Sequence, residues 1–365
     1  MKTGEKMKFF IDDTKPYQDD KFFNEIRNFI NEGNFVGNDA CPHNNNLKNV
    51  LESNFKYNSA NIVTCANGTD ALLGALIGIG VKEGDEVIVP GVSWLSTSMV
   101  IKNLKATPVY VDIDETGLVN IDSIKTNISK KTKAIIVVHL YGQLVDIDQI
   151  KNFTNIPVIE DSAQAFGGSF EDKDFVGSKG DFGCFSFFPT KNLGCFGDGG
   201  MTIVNNEEYF ESTRKFFRLG QSEVKGKADF VGINSRLDSL QAFILLKKLS
   251  FILSNDLFHK RKEIISDYKK AYSRILFNDN FHPVPHLAVG RFKNRTEIRD
   301  KMIKEGIPTA IHYPYALSDI KILEGKNSYE CINSSKFCNE VLSFPFHANL
   351  EDSEKNKIFK ELRNI

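Results

Sequence analysis

The sequence predicts an α/β fold with a mainly parallel central sheet, followed by a smaller C-terminal α+β domain. Short runs rich in Val and Ile alternate with helical segments between residues 62 and 204, which is typical of a parallel sheet covered on both faces. Helical segments follow, and then loops containing Pro and His with mixed short elements. The 365 residues are enough for about two domains. We therefore predict an N-terminal segment with a large domain over 1–250, and a small C-terminal domain over 251–365.

The individual elements follow from their periodicity and their order. The predicted strands contain, in chain order, NIVTC, EVIVP, TPVYVD, AIIVVHLYG, PVIED and FGCFSFFP. The predicted helices contain FFNEIRNFI, DALLGALIGIG, WLSTSMVIKNL, EEYFESTRKFFRLG and SRLDSLQAFILLKKLSFIL. Ligands of open α/β sheets collect beyond the carboxyl ends of the strands, so we look for functional residues just after these strands.

Composition excludes several classes of function. The chain has 46 Lys and Arg against 47 Asp and Glu, which gives no reason to expect nucleic acid or an acidic membrane surface as partner. No apolar run approaches the ~18 residues of a membrane span, and the N-terminus does not resemble a secretion signal. The six cysteines form no C-x-x-C pair and no zinc spacing, so we expect reduced thiols and no metal. A cytoplasmic location is predicted.

A possible phosphate site follows the first strand, in ANGTDALLGAL. Gly68 and Thr69 stand at the start of a helix, where free backbone N–H groups and the helix dipole favour an anion and the Thr69 hydroxyl adds a donor. The alternative is an ordinary glycine-containing turn with Thr69 as helix N-cap. The motif is neither a Walker loop nor G-x-G-x-x-G, so on its own it favours the alternative.

Three further candidates follow other strands. Asp161 ends the buried strand PVIED, where a carboxylate needs a positive partner such as a protonated ring nitrogen; otherwise it is a helix N-cap. Gln164 is placed to reach the same ligand or to cap a turn. Trp94, the only tryptophan, either stacks on a flat cofactor ring or belongs to the core.

The most informative stretch is SFFPTKNLGCFGDGG, residues 186–200. Lys191 lies between an aromatic run and several glycines, so it either turns outward on a loop or has a lowered pKa and acts as a nucleophile. Asp161 precedes it by 30 residues, at the end of another predicted strand. A carboxylate for a pyridinium nitrogen and a lysine for an aldehyde are the pair that pyridoxal phosphate (PLP) chemistry needs. Ser186 is a candidate donor to the phosphate.

Several segments together resemble the DegT/DnrJ/EryC1/StrS family of nucleotide-sugar aminotransferases. They are NGTDAL, VHLYGQ, EDSAQAFGG, SFFPTKNLGCFGDGGM, GINSRLDSLQA and HYP, and they extend from about Asn67 to Tyr313. The resemblance implies the fold-type I PLP architecture and a homodimer with shared active sites. It also implies glutamate as amino donor, and as acceptor a keto sugar linked to a nucleoside diphosphate.

The resemblance also assigns residues. It implies that Lys191 binds the cofactor covalently, that Asp161 pairs with the pyridine nitrogen, that Gln164 packs near the ring hydroxyl and that Trp94 stacks on the ring. Phosphate ligands would be Gly68, Thr69 and Ser186, joined by Asn234 of the partner subunit. Sugar-nucleotide contacts would be Arg236, His312 and Tyr313. From the residues alone, Asn234 as a helix cap and a solvated Arg236 remain the alternative.

The segment around Lys191 also bears on the reaction. Members of the family in which histidine replaces this lysine are dehydratases, so a lysine favours transamination. The form KNLG-x-x-GDGG resembles members acting on 3-keto sugars more than those acting on 4-keto sugars, and we expect a dTDP- or UDP-linked 3-keto deoxysugar. One departure is HYPYALSD, where many members have Pro-Leu-His after the tyrosine and proline. A 4-keto sugar, a PLP-binding regulator and another type of PLP enzyme remain alternatives.

Overall fold

The computed structural model describes residues 19–37, 41–171, 174–224 and 226–365, and within them two β-sheets. The strands of the large sheet are β1 (Ile62–Cys65), β2 (Glu86–Pro90), β3 (Thr107–Val111), β4 (Thr132–Val138), β5 (Val158–Asp161), β6 (Phe182–Ser186) and β7 (Gly200–Val204). Those of the small sheet are β8 (Ile275–Leu276), β9 (Ala288–Arg291) and β10 (Val341–Phe344).

The large sheet is mainly parallel, as predicted. Its order is β1–β7–β6–β5–β4–β2–β3, and the five strands from β3 to β6 run parallel to their neighbours. Only β7 is antiparallel, to β6 on one side and to β1 on the other. Its first residue, Gly200, is paired with Ser186 of β6 and with Cys65 of β1. This pairing brings the end of β6 close to the loop that follows β1.

Helices flank the sheets. They are α1 (Asp20–Glu32), α2 (Pro42–Phe55), α3 (Gly68–Ile79), α4 (Ser96–Asn103), α5 (Ile121–Asn127), α6 (Ile147–Lys151), α7 (Phe210–Phe216), α8 (Ser239–Ser254), α9 (Leu257–Ala271), α10 (Arg295–Lys304), α11 (Ile332–Glu340) and α12 (Asp352–Arg363). Among the described residues, no helix is both long and apolar enough to cross a membrane.

Three predicted element ends were wrong. The strand predicted through Pro189 ends at Ser186, so Lys191 lies in a turn five residues beyond β6. Helix α4 begins at Ser96, after Trp94. Helix α8 begins at Ser239 with Asp238 at its N-cap position, which excludes Asn234 as the cap. In each case the chain bends to place side chains at the edge of the sheet, where apolar periodicity carries no information.

Burial explains how the site is held. Alternate residues of the parallel strands pack on opposite faces: Ile88 and Ile135 belong to one core cluster, and Val87 and Ile136 to the other. A third cluster fills the space between the small sheet and α9, α10 and α12. With both faces covered, the strand ends at the carboxyl edge are fixed. Position 250 lies within α8, and the domain boundary stays a prediction.

Candidate active site

The predicted cofactor residues converge at the carboxyl edge of the large sheet. Asp161 is the last residue of β5 and is 7% exposed. Helices α3 and α4 begin after β1 and β2, so their first turns face the same edge. The turn containing Lys191 follows β6, the parallel neighbour of β5. This edge is where open α/β sheets bind ligands.

Asp161 is held by hydrogen bonds to both carboxylate oxygens. The Thr97 hydroxyl donates to Oδ2 at 3.1 Å, and the backbone N–H of Ala163 donates to Oδ1 at 3.3 Å. Burial raises the pKa of Asp161, while these two donors and the nearby Lys191 ammonium act in the opposite direction. A cationic partner would therefore stabilise the ionised form of the Asp161 carboxylate.

Lys191 is partly buried in the turn after β6, where its amine is influenced by the Asp161 carboxylate. Burial lowers the pKa of Lys191 to about 8, and the Asp161 carboxylate partly offsets this effect. Its backbone N–H donates to the carbonyl of Phe188 at 2.9 Å. The adjacent Asn192 is buried, and its side-chain amide donates to the carbonyl of Val284 at 3.2 Å. The turn is thus anchored on both sides of a partly buried Lys191, whose role as nucleophile stays a prediction.

The predicted phosphate ligands adjoin one another. Gly68 is the first residue of α3, and a methyl group there would lie 2.7 Å from Cβ of Ser186. Only glycine leaves this cradle open. The Thr69 hydroxyl lies 2.7 Å from that of Ser96, in the first turn of α4. Asn67, not Thr69, caps α3, since its side chain accepts from the backbone of Asp70 at 2.9 Å. The N-cap alternative for Thr69 is therefore wrong.

A network of hydrogen-bonded residues borders the site predicted for the cofactor ring. The Gln164 carbonyl oxygen accepts from the backbone of Tyr141 at 2.8 Å, and its Nε2 donates to the Tyr313 hydroxyl at 2.9 Å. The Tyr141 hydroxyl donates to the carbonyl of His312. The rings of Tyr313 and Trp94 are 5.7 Å apart. Trp94 is 56% exposed, so the alternative of a core tryptophan is wrong.

His312 points towards the small sheet. Its Nδ1 lies 2.9 Å from the hydroxyl of Ser343 in β10. Burial and the nearby Lys191 ammonium lower the pKa of His312 to about 4. The imidazole is therefore neutral near pH 7, and it adds no positive charge beside the lysine.

Asn234 and Arg236 are placed differently, because both side chains are exposed. Between them, Ser235 is buried, and its hydroxyl donates to Asp70 at 2.7 Å and accepts from the backbone of Ala66 at 2.9 Å. This contact fixes the segment beside the start of α3 while its outer side chains face outward. A role for Asn234 at the cofactor of a partner subunit stays a prediction.

Sequence reasoning missed three sets of residues in or near the site. Ser93 and Thr97 form a buried hydroxyl chain to Asp161, and the cluster of hydroxyls in VSWLSTS is the signal that was available for it. Tyr141 lies in a tight turn after β4, and no pattern in VHLYGQ predicts its contacts. Glu160 is fully buried, and it accepts from the backbones of Gly177, Lys179 and Gly180, which makes it a support for that loop.

The residues present fit pyridoxal phosphate. The glycine cradle suits the phosphate, the buried carboxylate suits a protonated ring nitrogen, and the lysine with the lowered pKa suits the aldehyde. No cluster of metal-ligating side chains occurs in the described part of the chain. Fold and site together define a PLP-dependent transferase of fold type I.

The chain belongs to the DegT/DnrJ/EryC1/StrS aminotransferase family, whose model matches residues 17–363. This match confirms the predicted family and its PLP-dependent enzyme chemistry. The chain is 36% identical over 312 residues to a UDP-2-acetamido-2-deoxy-3-oxo-D-glucuronate aminotransferase of Pseudomonas aeruginosa, covering 83% of this chain and 85% of that protein. It is 34% identical to a pleiotropic regulatory protein of Geobacillus stearothermophilus, covering 82% and 83%.

Solved structures agree with the fold. The S. venezuelae DesV structure, described as a complex with a ketimine intermediate, superposes with a TM-score of 0.89 at 27% identity and covers 98% of both chains. The predicted fold class is confirmed. The Pseudomonas relative is named for a 3-oxo sugar and another relative, of Escherichia coli, is named a GDP-perosamine synthase, so membership of this family of nucleotide-sugar aminotransferases does not name the substrate.

Proposed function

We propose that this protein transfers an amino group from glutamate to C3 of a dTDP- or UDP-linked 3-keto deoxysugar. The product would enter amino-sugar biosynthesis for a surface polysaccharide or glycoconjugate. The observation that carries the proposal is the partly buried Lys191 amine, which interacts with the Asp161 carboxylate and has its pKa lowered to about 8. Such an amine is available near neutral pH both as nucleophile and as proton carrier.

Different residues of the chain have different roles in the proposed reaction. When bound, the cofactor would accept the electron pair left on the substrate carbon and would carry the amino group from donor to acceptor. The Lys191 amine moves the proton between the substrate carbon and the cofactor. Asp161 holds the ring nitrogen protonated, and Gly68, Thr69 and Ser186 hold the phosphate. Gln164 and Trp94 border the ring.

The acceptor side is made by residues from the small domain and from the subunit interface. Tyr313, the neutral His312 and Arg236 would contact the sugar. Tyr313 already accepts a hydrogen bond from Gln164, so its hydroxyl proton is free to donate to a sugar oxygen. The neutral imidazole of His312 avoids a second cation next to Lys191.

Position C3 is supported by two observations. The segment KNLG-x-x-GDGG resembles members acting on 3-keto sugars, and the Pseudomonas relative is named for a 3-oxo sugar. The second candidate is the same reaction on a 4-keto sugar. A PLP-binding regulator is favoured by the name of the Geobacillus relative.

We further propose a homodimer in which Asn234 of the partner subunit completes the phosphate site. The exposed position of Asn234 beside the anchored Ser235 supports this arrangement. A cytoplasmic location suits the six cysteines, all of which are free thiols. We also propose a division into domains near residue 250.

The direct test uses ¹⁵N-glutamate and a panel of nucleotide-linked 3-keto and 4-keto sugars. We expect the wild-type enzyme loaded with PLP to place ¹⁵N at C3 of a dTDP- or UDP-sugar, located by NMR of the product. Lys191→Ala, assayed in parallel, should transfer none. Label at C4 would favour the second candidate. PLP binding without transfer to any sugar, and without conversion of glutamate, would favour the regulator.

A further inference from the structure

A chain of two hydroxyl groups leads to the carboxylate of Asp161. Thr97 donates to Asp161 Oδ2 at 3.1 Å, and the hydroxyl of Ser93 lies 2.7 Å from that of Thr97. Thr97 is 0% exposed and Ser93 is 3% exposed. Bulk water therefore has no access to either hydroxyl, and a missing donor would not be replaced.

The negative charge of Asp161 fixes which hydroxyl donates and which accepts in this pair of hydrogen bonds. An ionised carboxylate only accepts hydrogen bonds, so the single proton of the Thr97 hydroxyl is committed to Asp161. Thr97 must then accept at its oxygen, which makes Ser93 the donor in the 2.7 Å contact. The order Ser93 to Thr97 to Asp161 thus orients a charge-assisted hydrogen bond, the stronger kind.

The carboxylate depends on this donor more than on its other one. Among the described residues, its other hydrogen-bond donor is the backbone N–H of Ala163, at 3.3 Å, near the long end for an N–H···O bond. Burial opposes the ionised form of Asp161. Removal of the Thr97 hydroxyl would leave Oδ2 without this donor in a place that water does not reach.

Thr97 also belongs to a turn with other contacts to the site. Ser96 of the same turn lies 2.7 Å from Thr69, at the predicted phosphate end, and Trp94 approaches Tyr313. The segment from Ser93 to Thr97 therefore contacts both the ring-nitrogen end and the phosphate end. A shift of this short turn would alter the distance between the two.

We propose that Thr97, oriented by Ser93, is a positioning residue that keeps Asp161 ionised and aimed at the cofactor's ring nitrogen. The proposal rests on the role of Asp161 in the proposed function. Thr97 itself need not touch the cofactor. It acts through the carboxylate, so its loss should appear first in the protonation of the ring nitrogen.

The test measures the ¹⁵N chemical shift of PLP labelled at the ring nitrogen and bound to each variant. Thr97→Val, which keeps the shape and removes the hydroxyl, should move the shift towards the unprotonated value. It should also lower kcat by roughly ten- to hundredfold, as expected for the loss of a hydrogen bond to a charge. Thr97→Ser should restore both values towards wild type, and Ser93→Ala should give a smaller change in the same direction.

Two matched controls separate positioning from general damage. Ser96→Ala should weaken the retention of PLP and leave the ring-nitrogen shift unchanged, because its contact is at the phosphate end. Thr213→Val makes the same substitution at a buried threonine in α7, whose hydroxyl donates to the carbonyl of Tyr209 at 2.8 Å. It should change neither the shift nor kcat.

The proposal is overturned if Thr97→Val binds PLP with a wild-type nitrogen shift and turns over normally. It is also overturned if Thr97→Ser is as impaired as Thr97→Val, since the methyl packing and not the hydroxyl would then matter. Failure of the proposed function is distinguishable: the wild-type enzyme itself would then fail to move ¹⁵N from glutamate to a sugar.

Discussion

The site has a buried half and an exposed half, and they are built differently. The buried half consists of Thr97, Asp161, Gln164 and Lys191, where Asp161 is 7% exposed and every polar contact described is made within the chain. The exposed half, Trp94, Asn234 and Arg236, faces outward, with Trp94 56% exposed. Buried polar groups must find partners internally, and exposed ones need not.

The difference in exposure between the two halves indicates where each part of the proposed function resides. The residues that we propose to handle protons and the ring nitrogen are held by hydrogen bonds within their own chain. Asn234 and Arg236 flank the buried Ser235, so their backbone is held while their side chains point outward. We infer that the exposed half is completed only when another surface, the partner subunit or the substrate, covers it.

The largest expected effect in the buried half is at Lys191. Lys191→Ala removes the amine that binds the cofactor and carries the proton, so transamination should fall below detection and the absorption band of lysine-bound cofactor should vanish. Lys304→Ala, at an exposed position of helix α10, is the matched control and should behave like wild type. A Lys191→Ala enzyme that keeps the band and converts glutamate normally would refute the assignment.

Asp161→Asn should lower activity and raise stability. A neutral amide does not hold the ring nitrogen protonated, so we expect kcat to fall by roughly a hundredfold or more. Since burial raises the pKa of Asp161, ionisation costs free energy at neutral pH. The cofactor-free variant should therefore melt a few degrees above wild type. Near-native turnover, or a lower melting temperature, would contradict this account of Asp161.

Gly68→Ala tests the phosphate cradle, with a smaller effect. The added methyl group would lie 2.7 Å from Cβ of Ser186, so the cradle must widen or the phosphate must shift. We expect the Kd for PLP to rise roughly tenfold, a typical effect of overpacking, while the circular dichroism spectrum is unchanged. A wild-type Kd would show that the phosphate binds elsewhere.

The smallest expected effect is a shift on the pH axis. Covalent attachment of added PLP needs the neutral amine of Lys191, so its rate in cofactor-free enzyme should rise through about pH 8. The Asp161 carboxylate favours the ammonium and raises the pKa of Lys191, so Asp161→Asn should move this rise to lower pH. Stopped-flow absorbance measures both profiles. A shift to higher pH would mean that the two groups do not interact as described.

Much of the fold and the buried half follows from the sequence. Apolar strands such as PVIED are read correctly because burial on both faces demands continuous Val and Ile. The pairing of Asp161 with Lys191 is predictable because Asp161 ends one strand and Lys191 follows its neighbour, and parallel strands end at one edge of the sheet. The family segments then identify the cofactor.

The features of the fold and site that were not predicted depend on tertiary contacts, which leave no periodic pattern in the sequence. The hydroxyl chain from Ser93 through Thr97 joins a turn to a strand 64 residues away from Thr97. The reversal at β7 depends on how the glycine-rich turn after Lys191 closes. The end of β6 and the start of α8 were also mispredicted, because apolar periodicity does not mark the residue at which an element begins or ends.

The central claim is that Lys191 of one subunit works with Asn234 of the partner subunit, and subunit exchange tests it most directly. Lys191→Ala homodimers should be inactive, and Asn234→Asp homodimers should lose PLP, because a carboxylate would face the phosphate. Mixed in equal amounts and allowed to exchange, they should regain about a quarter of wild-type activity, since half the dimers contain one intact site. No recovery, with heterodimers demonstrated by native mass spectrometry, would show that each subunit builds its site alone.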